Sequence, residues 1–333
     1  MVKMNNKDRL KHYCEALRSS ATLDTSRVFE FFHRDAVINA VHPFNELHGA
    51  QDYIEQLHSA LVNAFALLKR MEYIVIGGDF EQGEWVACTG YYQGQFSQPF
   101  VGIPPTGKMA FLRFAEFHRF KDDRVVESYI FLDIPALMMV AGCWPITDSV
   151  AAHSGYCGYL PGPSTCDGLV WHDSDAGVSA KTLQITEDML LNLATPDERW
   201  RPYWHDDMCW YGPAAFGAFY GKEEFAAFQT PFEQCFSEWI SGIMPGSRTR
   251  HFLRMADGNY CCLGGWPSLN MVQVKTFMGQ PPGDQRVYMR VCDFWRRDGD
   301  QLAENWVFVD ILHFLLQLEY DVLAHIGASP GAN

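Results

Sequence analysis

Two segments of this chain, ESYIFLD and ENWVFVD, each end on an aspartate, Asp133 and Asp310. Strand alternation places Glu127, Tyr129, Phe131 and Asp133 on one face, and Glu304, Trp306, Phe308 and Asp310 on the matching face of the second segment. The opposite faces carry Ser128, Ile130 and Leu132, or Asn305, Val307 and Val309, and read as packing surface. A carboxylate among aromatic rings has its charged form desolvated, which raises its pKa and suits it to move protons. Asp133 and Asp310 are therefore the candidate catalytic residues, with Tyr129 and Trp306 as candidate pocket wall. Glu127 lies six residues, about 20 Å of strand, from Asp133 and cannot form a dyad with it. If the hairpin before each segment has a two-residue loop, parity brings Phe114, Glu116 and His118 to the Asp133 face, and Val291, Asp293 and Trp295 to the Asp310 face. Glu116 and Asp293 thereby become candidate binding groups, while Arg113 and Arg290 face the other way. A second role stays open: both aspartates precede helical runs, where such a residue commonly caps the free N–H groups.

Other polar residues are less regular. His42 and His48 occur in the first half, and Trp210 and Tyr211 occupy comparable ground in the second. His33 and His205 repeat at an expected helix end, where capping is the default reading. No HExxH, no cysteine cluster and no spaced histidine–carboxylate triad is present, so no metal site is expected. Neither a glycine-rich nucleotide loop nor a GxSxG elbow occurs. Any chemistry is expected to use acids, histidines and tyrosines, with no cofactor.

The elements that must position these residues occur twice. Residues 100–133 align without a gap onto 277–310, and eleven of the 34 positions are identical, from Phe100/Phe277 to Asp133/Asp310. Residues 31–49 align with 203–221 in the same order. One fold is present in two copies. Helical spacing over 7–18, 26–33 and 179–192 opens the halves, and the runs after Gly49 and Gly221 are helical too, the second broken by Pro231. Both halves then switch to period two, with Asp298-Gly299 marking a tight hairpin. The expected fold class is α+β: two tandem cones, each a curved antiparallel sheet wrapped around a pocket with N-terminal helices. Domain boundaries are expected at 1–141 and 179–333, joined by a Gly/Pro/Cys-rich arm, 142–178, whose Trp144, Tyr156, Tyr159 and Trp171 favour packing over a free tether.

Composition narrows the partners. The 333 residues fit two ordinary domains, and 48% hydrophobic with 20% charged content describes a soluble globular protein. A net charge of −14 argues against nucleic acid and anionic membrane, both of which attract basic surfaces. No apolar run approaches the ~20 residues that span a bilayer, and the N-terminal MVKMNNKDRL lacks a signal pattern. The ten cysteines read as reduced thiols of a cytoplasmic protein, although Cys157 and Cys166 share a loop where a pair is feasible. The expected partner is a small-molecule substrate.

The motif Gly102-Ile103-Pro104-Pro105-Thr106-Gly107-Lys108, followed by a hairpin and Glu-x5-Asp, resembles the SnoaL-like polyketide cyclases of the nuclear transport factor 2-like superfamily. In the second half, Trp210-Tyr211-Gly212-Pro213, Gly265-Trp266-Pro267-Ser268, Gly279-Gln280-Pro281-Pro282 and Glu304-Asn305-Trp306-x3-Asp310 are similar in more places. The resemblance implies an aspartate at the end of the last strand as acid/base, a role that falls on Asp310 first and Asp133 second. Where relatives place a Thr-His pair, this chain has Val272-Gln273 and Tyr91-Tyr92, so Gln273 joins the candidate binding residues. Relatives dimerise through their sheets, which implies an internal pseudo-dimer here. The implied activity is a cofactor-independent lyase, isomerase or cyclase acting on a small carbonyl compound, with Tyr211, Gln273, His42 or His48 holding the enolate oxygen. The alternative is a non-catalytic ligand-binding or scaffolding protein with degenerate cones.

Overall fold

A computed structural model describes residues 4–19, 24–81, 83–146, 159–193, 197–244 and 249–326. Two compact units emerge. One comprises the chain up to Pro145 with Pro161–Asp173 and the described residues from Val322; the other comprises Ser174–Asp321 and the described parts of 146–160.

In the first unit, helices α1 (Asn6–Ala16) and α2 (Thr25–Phe31) lead into strands β1 (Phe32–Ala40) and β2 (Glu46–His48). Asn5 caps α1 by accepting from the Asp8 amide. A helical stretch follows as α3 (Gly49–Asp52), a π-turn over Tyr53–His58 and α4 (Ser59–Ala64). The long strands β3 (Phe65–Phe80), β4 (Gly83–Phe96), β5 (Met109–Lys121) and β6 (Arg124–Leu132) precede α5 (Ile134–Val140). The sheet order is β2-β1-β6-β5-β4-β3. Every pairing is antiparallel except β1 with β6, which is parallel. Part of the connecting arm is ordered on this unit: the Val75 amide donates to the Gly168 carbonyl, and the Val170 amide donates back to the Val75 carbonyl.

The second unit repeats the plan with α6 (Ala176–Leu191), β7 (Trp204–Tyr211), β8 (Ala218–Tyr220), α7 (Gly221–Gln234), β9 (Phe236–Ser241), β10 (His251–Asp257), β11 (Tyr260–Gln273), β12 (Arg286–Asp298), β13 (Gln301–Val309) and α8 (Ile311–Gln317). Its order is β10-β11-β12-β13-β7-β8, with β9 also on β11. Strands β9 and β10 stand where the first unit has the single strand β3. Helix α7 continues through Pro231 rather than breaking there, and His33 and His205 lie in β1 and β7 rather than at helix ends. The proposed Cys157–Cys166 pair falls outside the described residues, since Cys157 is not among them; Cys166 itself is an exposed free thiol.

One finding reverses the face assignment of both hairpins. The loops do have two residues, Asp122-Asp123 and Gly299-Asp300, but each hairpin carries a bulge just beyond. Arg119 pairs with Glu127 while Phe120 pairs with Val125, leaving Val126 extra; Arg296 pairs with Glu304 while Arg297 pairs with Leu302, leaving Ala303 extra. One inserted residue transfers every later side chain to the other face. Glu116 therefore pairs with Ile130, and Asp293 with Val307. These acids share a face with the residues expected to be plain packing, Ser128 and Ile130 or Asn305 and Val307. Arg113 and Arg290 instead join the aspartates.

Candidate functional site

The aspartates at the strand ends are ion-paired. Arg113 Nη2 lies 3.1 Å from Asp133 Oδ2, and Arg290 Nη1 lies 3.0 Å from Asp310 Oδ2. Asp310 also caps α8, accepting from the His313 amide at 3.2 Å. Asp133 occupies the N-cap position of α5 without a side-chain cap bond. The expectation of a pocket-facing aspartate is not met at this cavity: it opens on the other sheet face, that of Asn305, Val307 and Val309, so neither aspartate lines the cavity described below.

The inner face of the first cone is occupied by a buried ionic network. Arg70 donates to Glu72 Oε1 at 2.7 Å, to the Tyr92 hydroxyl at 2.7 Å, and through both terminal nitrogens to Glu116 at 2.6 and 2.9 Å. His118 lies 3.3 Å from Glu116 and 2.8 Å from Ser128 Oγ. Burial alone raises the Glu116 pKa, but the Arg70 charge and bonds from His118 and Arg70 outweigh it and bring the carboxyl to about 2. Such a group stays ionised and is too weak a base to remove a carbon-bound proton at neutral pH.

The second cone holds an open cavity of about 190 Å³. Its walls are largely apolar, with Trp204, Trp210, Phe228, Phe232 and Trp239 among them, and its polar residues are Asp293, Asn305, His251, Ser268, Ser241, Gln229 and Glu233. Asp293 occupies the repeat position of Glu116, but no arginine reaches it among the described residues. Its partner is Asn305, whose Nδ2 donates to Oδ1 at 3.2 Å, which leaves Oδ2 open to a ligand. Burial raises the carboxyl, the Asn305 bond lowers it slightly, and the result is about 7. Glu233 is likewise raised to about 7 by burial, with Gln229 opposing and the Glu198 charge assisting. Burial and then the Arg254 charge hold His251 down to about 3, so its ring is neutral at physiological pH.

Of the sequence candidates, the cavity brings together Asp293 and Trp210. Tyr211 and Trp306 pack on each other, ring centroids 5.4 Å apart, on the opposite sheet face. Gln273 spends its amide on the carbonyls of Lys275, Gln280 and Pro281, securing the Gly-Pro-Pro turn. Tyr129 donates to Glu127 at 2.7 Å, Glu116 is locked to Arg70, and His48 is exposed beside Glu46 at 3.4 Å. His42, half-buried before the cis Pro43 bond, is in the first unit and does not line this cavity. Sequence reasoning missed Asn305, His251, Ser268 and Glu233. Asn305 and Ser268 lay within the quoted motifs, and the correct strand parity would have exposed Asn305 beside Asp293.

Residues 10–139 match the model of the SnoaL-like polyketide cyclase family. Among solved structures, AclR from Streptomyces galilaeus is 15% identical, covering 42% of this chain and 97% of that chain with a TM-score of 0.36. IdmH from Streptomyces antibioticus is 21% identical, covering 41% and 98% with a TM-score of 0.34. An NTF2-like protein of unknown function from Burkholderia pseudomallei is 18% identical, covering 41% and 98% with a TM-score of 0.33. No curated protein sequence matches the chain. The family match falls on the first half, whose interior Arg70 and Glu116 occupy.

Proposed function

We propose that this chain, with a SnoaL-like first half and a second half of the same strand plan, carries one cofactor-independent site of lyase, isomerase or cyclase type, in the second cone, with Asp293 as its acid/base. The observation that carries this reading is the contrast at one repeat position: Glu116 is ion-paired to Arg70, whereas Asp293 stands in a largely apolar cavity that lifts its carboxyl to about 7. A base whose pKa matches the pH combines adequate basicity with a populated ionised form. Asp293 would take a proton from the carbon next to a carbonyl. The C–H pair becomes a C=C bond, the carbonyl π pair moves to oxygen, and the proton is later returned to another atom of the same substrate. Aromatic and aliphatic walls favour a compact, largely apolar, uncharged carbonyl compound.

The test is turnover of a panel of such compounds by Asp293→Asn and, separately, Asp310→Asn. The reading expects the first to lose at least about 100-fold, the range of a removed general base, and the second to remain active. Equal activity of Asp293→Asn and wild type would sink it. Unchanged tight binding without any turnover in the wild type would instead favour a non-catalytic binder built on the same cavity.

A further inference from the structure

A hydrogen-bonded chain runs from helix α6 into the cavity of the second cone. Arg254 Nε donates to Glu187 Oε1 at 2.8 Å, and Arg254 Nη1 approaches His251 Nδ1 at 3.5 Å. A guanidinium has only donors, so Nδ1 must be the lone-pair nitrogen and the ring proton sits on Nε2. Nε2 lies 3.0 Å from Ser268 Oγ and donates to it. The serine hydroxyl proton is thereby directed away from His251. Among the described residues, no other side-chain partner of Ser268 Oγ exists, although Ser268 is 4% exposed and His251 2%, and both line the cavity. A buried hydroxyl without an acceptor is costly, which points to an acceptor supplied by a bound molecule.

The backbone is built around this pair. On β11, Gly265 pairs with Val291 and Leu269 with Met289, so three residues, Trp266, Pro267 and Ser268, stand opposite the single Arg290. The first cone runs from Thr89 to Gln95 against β5 without such a bulge. A Cβ on Gly265 would lie 2.4 Å from Ser268 Cα, and one on Gly242 would lie 2.5 Å from His251 Cδ2. Glycine at both positions lets the serine and the imidazole close on each other.

We propose that Ser268 is the donor that binds the carbonyl oxygen of the ligand, with Glu187, Arg254 and His251 as positioning residues that fix the direction of its proton. This rests on the second cone being the ligand site. It fills the place for which the sequence offered Tyr211, Gln273, His42 and His48, none of which reaches the cavity. An oxygen held here gains a donor as charge develops on it during enolisation.

The experiment compares 1-tetralone with tetralin, two fused-ring probes that differ by one carbonyl, in titrations of the full chain. The wild type is expected to prefer tetralone by about tenfold, the scale of one hydrogen bond, and to lower the carbonyl stretching frequency of bound tetralone. Ser268→Ala should bring the two affinities together and abolish the frequency shift while leaving tetralin affinity unchanged, which also reports that the cavity is intact. Arg254→Met should keep tetralin affinity and weaken the frequency shift. Equal binding of both probes by the wild type, or undiminished preference in Ser268→Ala, would overturn the donor role and leave the cavity reading standing. Failure of both probes to bind would overturn the cavity reading itself.

Discussion

Replacing Asp293 by asparagine should change the pH dependence of stability with a definite sign. Burial lifts this carboxyl from its ordinary 3.8 to about 7, so between those values the folded protein holds a proton that the unfolded chain has released. The stability contributed by the protonated form is complete below about pH 4, declines as pH rises, and is lost above about pH 7. Lifting the carboxyl that far corresponds to about 4 kcal/mol. That is an upper limit, because water entering the cavity screens the charge once it forms. Asparagine cannot ionise. Relative to wild type, Asp293→Asn should therefore gain stability steadily from pH 4 to pH 8, by up to about 4 kcal/mol, or roughly 10 °C in melting temperature for a unit of this size. His251, held down to about 3, acts in the opposite direction over part of this range, and Glu233 in the same direction; the difference between variant and wild type isolates Asp293. Calorimetry at unit pH intervals is the appropriate assay, because two compact units need not melt in one transition. A difference that stays constant from pH 4 to pH 8 would refute the perturbed carboxyl and the acid/base role built on it.

Glu116→Gln should behave differently. It leaves the fully buried Arg70 with a broken partner, which costs about 3–5 kcal/mol, and calorimetry should show the loss in one transition only. Because its folded pKa is lowered to about 2, the stability it contributes is present above the ordinary carboxylate range and disappears as pH falls from about 4.5 toward 2. Asp310→Asn removes one ion-pair charge but keeps a side chain able to cap α8; denaturant titration should register a loss of about 1–3 kcal/mol, with tetralin and tetralone affinities unchanged.

The repeat made the architecture readable: two copies of one pattern specify two α+β cones, and the Asp-Gly signal correctly located the second hairpin. What the pattern could not convey was a single inserted residue. Val126 and Ala303 are ordinary strand residues, and nothing in their chemistry marks a bulge. Period-two reasoning carried past them matched the residues of β5 and β12 to the wrong face of β6 and β13. Asp293 was nevertheless selected as a carboxylate near an apolar wall, which is what it is, but as a neighbour of Asp310 rather than as the cavity's own acid. His251 was invisible because its chain to Ser268 depends on a three-residue excursion after Gly265. The fate of Glu116 was equally hidden, since its neutralising Arg70 lies 46 positions away in sequence.

The most direct measurement is hydrogen exchange at carbon. Incubating 1-tetralone in deuterium oxide with the full chain and following deuterium uptake next to the carbonyl by mass spectrometry reads proton removal without knowledge of the natural substrate. The wild type, Asp133→Asn and Asp310→Asn should all accelerate uptake over buffer, and Asp293→Asn should not. Uptake by Asp293→Asn at the wild-type rate, or no acceleration by the wild type, would contradict the assignment of proton transfer to Asp293.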